Sequence, residues 1–161
     1  MNKIEGILDI SDYGYWDYIN FRIDGYWLDE KLEELYPNKY KGLIPTLVEW
    51  IEGKEEKEVV WKRIFPNENE TTICPILMCP DDNDFSCTVI VAEIINTGNV
   101  IKWQRIGLDK SEEWWKAEKI GSKVEWFDKI NELNFETSDY LKMLNNFKER
   151  MELDKQNIEQ F

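Results

Sequence analysis

The run Ser86–Ile106, SCTVIVAEIINTGNVIKWQRI, decides the fold. Ser86 to Ile95 is rich in β-branched residues and bounded by turn formers, a pattern and length that suit a buried strand better than a helix. Asn96, Thr97, Gly98 and Asn99 then supply residues that tolerate positive φ, so Val100 to Ile106 returns as an antiparallel partner. On that second strand Ile101 and Trp103 point one way and Lys102 and Gln104 the other. The alternation sets one face toward a core and leaves the other to solvent or another layer.

Upstream of this hairpin, Thr71 to Cys79 has the same β-branched character and reads as a second central strand. Val59 to Phe65 alternates and is read as a further strand, behind a charged connection from Glu52 to Glu58. Nearer the N-terminus, Ile19, Phe21 and Ile23 alternate with Asn20, Arg22 and Asp24, the period of a half-buried strand ended by Gly25. Leu28, Leu32 and Leu35 follow at helical spacing behind Asp29 and Glu30, whose charge suits a helix start, and predict a helix from about Trp27 to Tyr36. Leu43, Leu47, Trp50 and Ile51 predict a second short helix, with Pro45 in its first turn.

Downstream, Asp109 to Ser122 is charged, contains Gly121, and reads as an irregular excursion before a short strand at Val124 to Phe127. Thr137 or Ser138 suits an N-cap, and Tyr140, Leu144, Phe147 and Met151 recur on one face of a final helix. These elements predict a single α+β domain over residues 1–161, fraying after about residue 152. Its expected architecture is a mostly antiparallel sheet with a central hairpin, packed by two short N-terminal helices and one C-terminal helix.

A chain of 161 residues with 8 Trp, 7 Tyr and 7 Phe has the aromatic content of a packed domain and not of a disordered one. Met1 to Ile10 carries Glu5 and Asp9 and no long apolar run, unlike a secretory signal or transit peptide. Three cysteines do not make a disulfide framework, and with no export signal the expected setting is the reducing cytoplasm. The 33 acidic against 20 basic residues give a net charge of −13, so nucleic acid and anionic membranes are not expected partners.

The sequence has no histidine, which removes Ser-His-Asp and Cys-His catalysis. Glycine-rich phosphate loops and the GxSxG elbow are missing too, so no enzymatic activity and no cofactor are expected. In CPILMCPDDNDFSC, the residues Cys74, Cys79 and Cys87 surround an acidic turn of Asp81, Asp82 and Asp84. Three thiolates fall one ligand short of a zinc site unless a carboxylate is the fourth, and buried free thiols are the stronger reading. The turn lacks the glycine and closing glutamate of an EF-hand loop. The tryptophans are spread along the chain and read mostly as core. For the adjacent Trp114 and Trp115, preceded by Glu112 and Glu113, simple packing is the first reading, and an exposed protein-binding anchor ringed by charge is the other.

From FRIDG through PILMCPDDNDFSCTVIVAEI, VIKWQRIGLD and VEWFDKINELNF to DYLKMLNNF, about Ile19 to Phe147, the chain resembles a family of small bacterial proteins. Some of its members resemble immunity proteins, the antidotes carried beside polymorphic or contact-dependent toxins. The resemblance implies stoichiometric neutralisation, in which an acidic surface docks a basic toxin domain and blocks its substrate groove. On this expectation Asp81, Asp82, Asp84, Glu112 and Glu113 supply the field, and Trp114 and Trp115 supply apolar anchorage. The alternative is a cytosolic regulatory or adaptor domain without a toxin partner.

Overall fold

The computed structural model of the chain describes residues 1–10, 17–49, 51–81 and 84–159. The hairpin is its centre: β5 (Thr71–Met78), β6 (Val89–Asn96) and β7 (Val100–Asp109) pair antiparallel, with one register shift in each pairing. At the β6–β7 turn Gly98 has a φ of 96°, a left-handed conformation that side chains rarely adopt. The Thr97 N–H closes the turn on the Val100 carbonyl at 2.9 Å. Ile101 and Trp103 are fully buried while Gln104 and Arg105 are exposed, so the expected two-faced strand is present.

The outer edge of β7 is shared by two short strands laid end to end. Its first half pairs with β9 (Leu133–Glu136) and its last three residues pair with β8 (Val124–Trp126). On the far side β4 (Ile44–Pro45) adds a two-residue edge to β5. A second antiparallel sheet consists of β1 (Ile4–Ile10), β2 (Asp17–Ile23) and β3 (Tyr26–Trp27). Asn2 joins the two sheets, bridging Phe135 and exchanging hydrogen bonds with Asn134 at 2.8 Å in both directions.

Helix α1 (Leu28–Leu35) buries Leu28 and Leu32 as its spacing requires. Helix α3 (Thr137–Glu159) buries Tyr140, Leu144 and Phe147, together with Met143, against both sheets. Its start is tied to the hairpin tip, where the Thr137 hydroxyl donates to the Gly98 carbonyl at 2.7 Å. Gly6 lets β1 and α3 approach closely: a Cβ there would lie 3.2 Å from the Met143 carbonyl oxygen. Among the described residues, no helix is long and apolar enough to cross a membrane.

The α+β, mostly antiparallel architecture agrees with expectation, but the helices do not all fall where sequence placed them. Two short N-terminal helices were expected, and α1 alone occupies that region. The described part of residues 43–51 is not helical: Ile44 and Pro45 pair with β5, and the Thr46 N–H and hydroxyl bond the Ile76 and Pro75 carbonyls. Its apolar spacing reflects burial by pairing with a distant strand. Trp50, placed on that helix, lies outside the described residues.

The second helix is α2 (Lys54–Arg63), covering most of the expected connection at 52–58 and most of the expected strand at 59–65. Val60 and Ile64, four apart, are the buried residues that set its inward face. Glu55 and Glu56 in its first turn and Lys62 and Arg63 in its last match the helix dipole. That charge polarity was legible, but the alternation of Val59, Trp61 and Arg63 obscured it. The strands β1 and β9 were not anticipated.

Candidate protein-docking site

The acidic turn and the excursion leave the same end of the six-stranded sheet. Met78 pairs with Val89 and Ile90 with Leu108, so β5 ends, β6 begins and β7 ends side by side. The sequence named both segments without a means of placing them together. Helix α2, which it missed, braces both.

The 110–123 excursion is closed at its neck and folded back onto the sheet. Asp109 accepts hydrogen bonds from the Gly121 N–H at 2.9 Å and from the Ser111 hydroxyl at 2.7 Å, and the Lys110 N–H reaches the Lys123 carbonyl at 2.7 Å. Gly121 has a φ of 83° and sits where a Cβ would meet the Ile73 side chain at 2.7 Å. Arg63, at the end of α2, then spans the gap between strand and excursion. Its guanidinium donates to the carbonyls of Ile73 at 3.2 Å, Ile120 at 2.7 Å and Glu118 at 2.9 Å. Ala117 and Ile120 are buried beneath the loop.

Trp114 and Trp115 are carried on this braced loop, 42% and 60% exposed, with their rings edge to face at a centroid distance of 6.0 Å. Their exposure departs from the simple packing that sequence put first and leaves the anchor reading open. Of the remaining described tryptophans, Trp103 is fully buried, Trp61 and Trp126 are half-buried against the core, and Trp27 is half-buried. Glu112 is exposed, and Glu113 pairs with Lys116 at 3.3 Å, which tempers the local negative charge.

The acidic turn packs against the other end of α2. Asp84 and the Phe85 N–H lie beside Glu56, and Phe85 is buried. Burial pushes the Glu56 carboxyl above the usual carboxylate range; the charges of Asp84 and Glu55 reinforce this, and the Phe85 N–H opposes it. Asp81 is exposed, and Asp84 accepts the Ser86 N–H at 2.9 Å and the Ser86 hydroxyl. Asp82 lies outside the described residues. Glu56 and Arg63 are two helical turns apart, about 10 Å along the axis, so one short helix touches both segments.

The cysteines separate into two environments. Cys74 is buried beneath α2, with its Sγ 3.6 Å from the Val60 carbonyl oxygen, and burial pushes its thiol well above the ordinary range. Cys79 is half-buried at the end of β5, whereas Cys87, expected in an interior strand, precedes β6 and is exposed. Among the described residues no three potential ligands gather into a metal site.

A third polar cluster lies under the three-stranded sheet. The Asn20 amide donates to Asp9 at 3.0 Å and to Asp29 at 3.5 Å, and the Gly42 N–H donates to Asp29 at 3.2 Å. Asn20 and Asp29 are both buried, so these contacts satisfy polar groups that are otherwise costly to bury. Sequence placed Asp29 in the first turn of α1, where it stands, and missed this cluster.

The class defined by this fold and site is an α+β domain whose most distinctive surface is an indole pair on a braced loop. No protein-family model matches the chain, and comparisons with curated proteins and with solved structures find no match.

Proposed function

We propose that this domain is a non-catalytic, acidic protein-binding module of the cytoplasm that neutralises a basic toxin domain by stoichiometric binding, as immunity proteins do. The observation that carries the reading is the exposed Trp114–Trp115 pair on a loop held at its neck and by Arg63. Two adjacent exposed indoles are an aromatic anchor, and a braced loop loses little freedom when it docks. The five acids Asp81, Asp82, Asp84, Glu112 and Glu113 provide the negative field. A toxin domain that cleaves nucleic acid must be cationic where it holds phosphates, so an acidic blocker competes for that surface.

The test is co-expression with the product of the neighbouring gene, scored by growth. The expected result is rescue by the wild-type chain and a 1:1 complex, both lost with Trp114→Ala/Trp115→Ala. Charge reversal at the five named acids should slow association and flatten its salt dependence. A growth defect that the wild-type chain does not relieve would overturn the toxin reading. Recovery of several neutral partners would favour a regulatory or adaptor domain.

A further inference from the structure

Cys79 and Cys87 stand at the two ends of the acidic turn, with seven residues between them. The Cys79 N–H donates to the carbonyl of Thr88 at 3.1 Å, extending the β5–β6 ladder by one bond and setting Cys79 beside the chain that carries Cys87. In that position the Cys87 thiol lies near enough to Cys79 to help raise its pKa. Cys79 is half-buried with its Sγ 3.6 Å from the Asp81 carboxylate, while Cys87 is open to solvent. Cys74 stays sealed beneath α2.

We propose that Cys79 and Cys87 are a disulfide-forming pair that, on exposure to a small-molecule disulfide, closes the turn bearing Asp81 and Asp84 into a covalent loop. The inference does not depend on which partner the docking surface takes. The exposed Cys87 reacts first. Its thiolate sulfur attacks one sulfur of oxidised glutathione, whose S–S bond breaks; one glutathione leaves and takes up the proton that Cys87 released. Cys79 then gives up its proton and attacks the Cys87 sulfur, forming the intramolecular bond and expelling the second glutathione, which takes up that proton. Two protein thiols are oxidised and one glutathione disulfide is reduced to two thiols.

The division of roles follows from the surroundings. Burial pushes the Cys79 thiol up to about 12, a shift that the Asp81 backbone N–H opposes and the Cys87 thiol and Asp81 charge reinforce. It is a poor attacking group on a free disulfide and depends on a neighbouring sulfur already activated by Cys87. Closure ties together the two ends of the turn that carries Asp81, Asp84 and Phe85, so it restrains the acidic segment.

The experiment treats the folded chain with oxidised glutathione, counts free thiols, and maps the linkage by mass spectrometry after proteolysis. The expected product has lost two hydrogens, contains a Cys79–Cys87 cross-link and keeps Cys74 free. Cys79→Ser should stop at a glutathione adduct on Cys87, and Cys87→Ser should leave Cys79 unmodified for at least ten times longer than in the wild type. Wild-type protein of unchanged circular dichroism that retains both thiols, or carries separate adducts on them, would overturn the proposal. So would a linkage through Cys74 or between two chains.

Discussion

The indole of Trp103 on the central hairpin donates to the hydroxyl of Tyr140 on α3 at 3.2 Å, and that hydroxyl donates in turn to the Ile64 carbonyl at the end of α2 at 2.7 Å. All three residues are buried. One phenol therefore satisfies polar groups from two other elements and fixes how sheet and helices meet. Phe21 and Phe135 complete the packing, each edge-on to Trp103, at 5.7 and 5.3 Å.

Tyr140→Phe keeps the ring and strands both partners, an indole N–H and a backbone carbonyl. Its expected cost is about 1–3 kcal/mol, the usual penalty for leaving buried polar groups unpaired. Urea denaturation should show a lower midpoint with an unchanged slope. A midpoint within error of the wild type would mean that neither partner depends on the hydroxyl.

Arg63 bonds carbonyls of β5 and of the excursion at once, so its removal should loosen the loop that presents Trp114 and Trp115 before it loosens the sheet. Arg63→Ala is expected to cost about 1–3 kcal/mol and to speed amide exchange at residues 117–121 while the β6–β7 amides stay protected. Arg63→Lys should restore only part, because an ammonium cannot reproduce the planar fork. Uniform acceleration across the whole sheet would contradict a local role.

Asp29 supplies a pH dependence of defined sign. Burial holds its carboxyl above the usual range, the Gly42 N–H and the Asn20 amide pull it back, and the charges of Glu30 and Asp9 push it further up. The folded state therefore binds this proton more tightly than the unfolded chain does. Its contribution is fully present below the ordinary carboxylate pKa of about 4, and is lost as pH rises through the elevated folded value. The stability of the wild type relative to Asp29→Asn should fall across that window in urea titrations at stepped pH. Parallel curves would show that Asp29 titrates alike in both states.

The hairpin and the final helix were legible because their signals are local. Asn96–Asn99 supplies its own turn chemistry, and Tyr140, Leu144 and Phe147 set their own helical period. Residues 54–63 were misread because alternation over a few residues fits a strand while the buried pair Val60 and Ile64 fits a helix, and only the neighbouring β5 surface arbitrates. The pairing of Ile44 and Pro45 with β5 is likewise set by a strand more than thirty residues away. The candidate site divides the same way: its indole pair and acids stood out by composition, whereas Arg63 and Glu56 look like ordinary helix-end charges.

By itself the amino-acid order determined the acidic character of the molecule, the absence of histidine chemistry, the β6–β7 hairpin and the inward face of α3, since each follows from composition or from neighbours along the chain. Tertiary structure alone decided that α2 touches both the acidic turn and the indole-bearing loop, that Asp29 is buried against Asn20, and that Cys79 is bonded to the chain beside Cys87. These contacts join separate segments across the fold, and their energies depend on burial and on partners that no local pattern specifies.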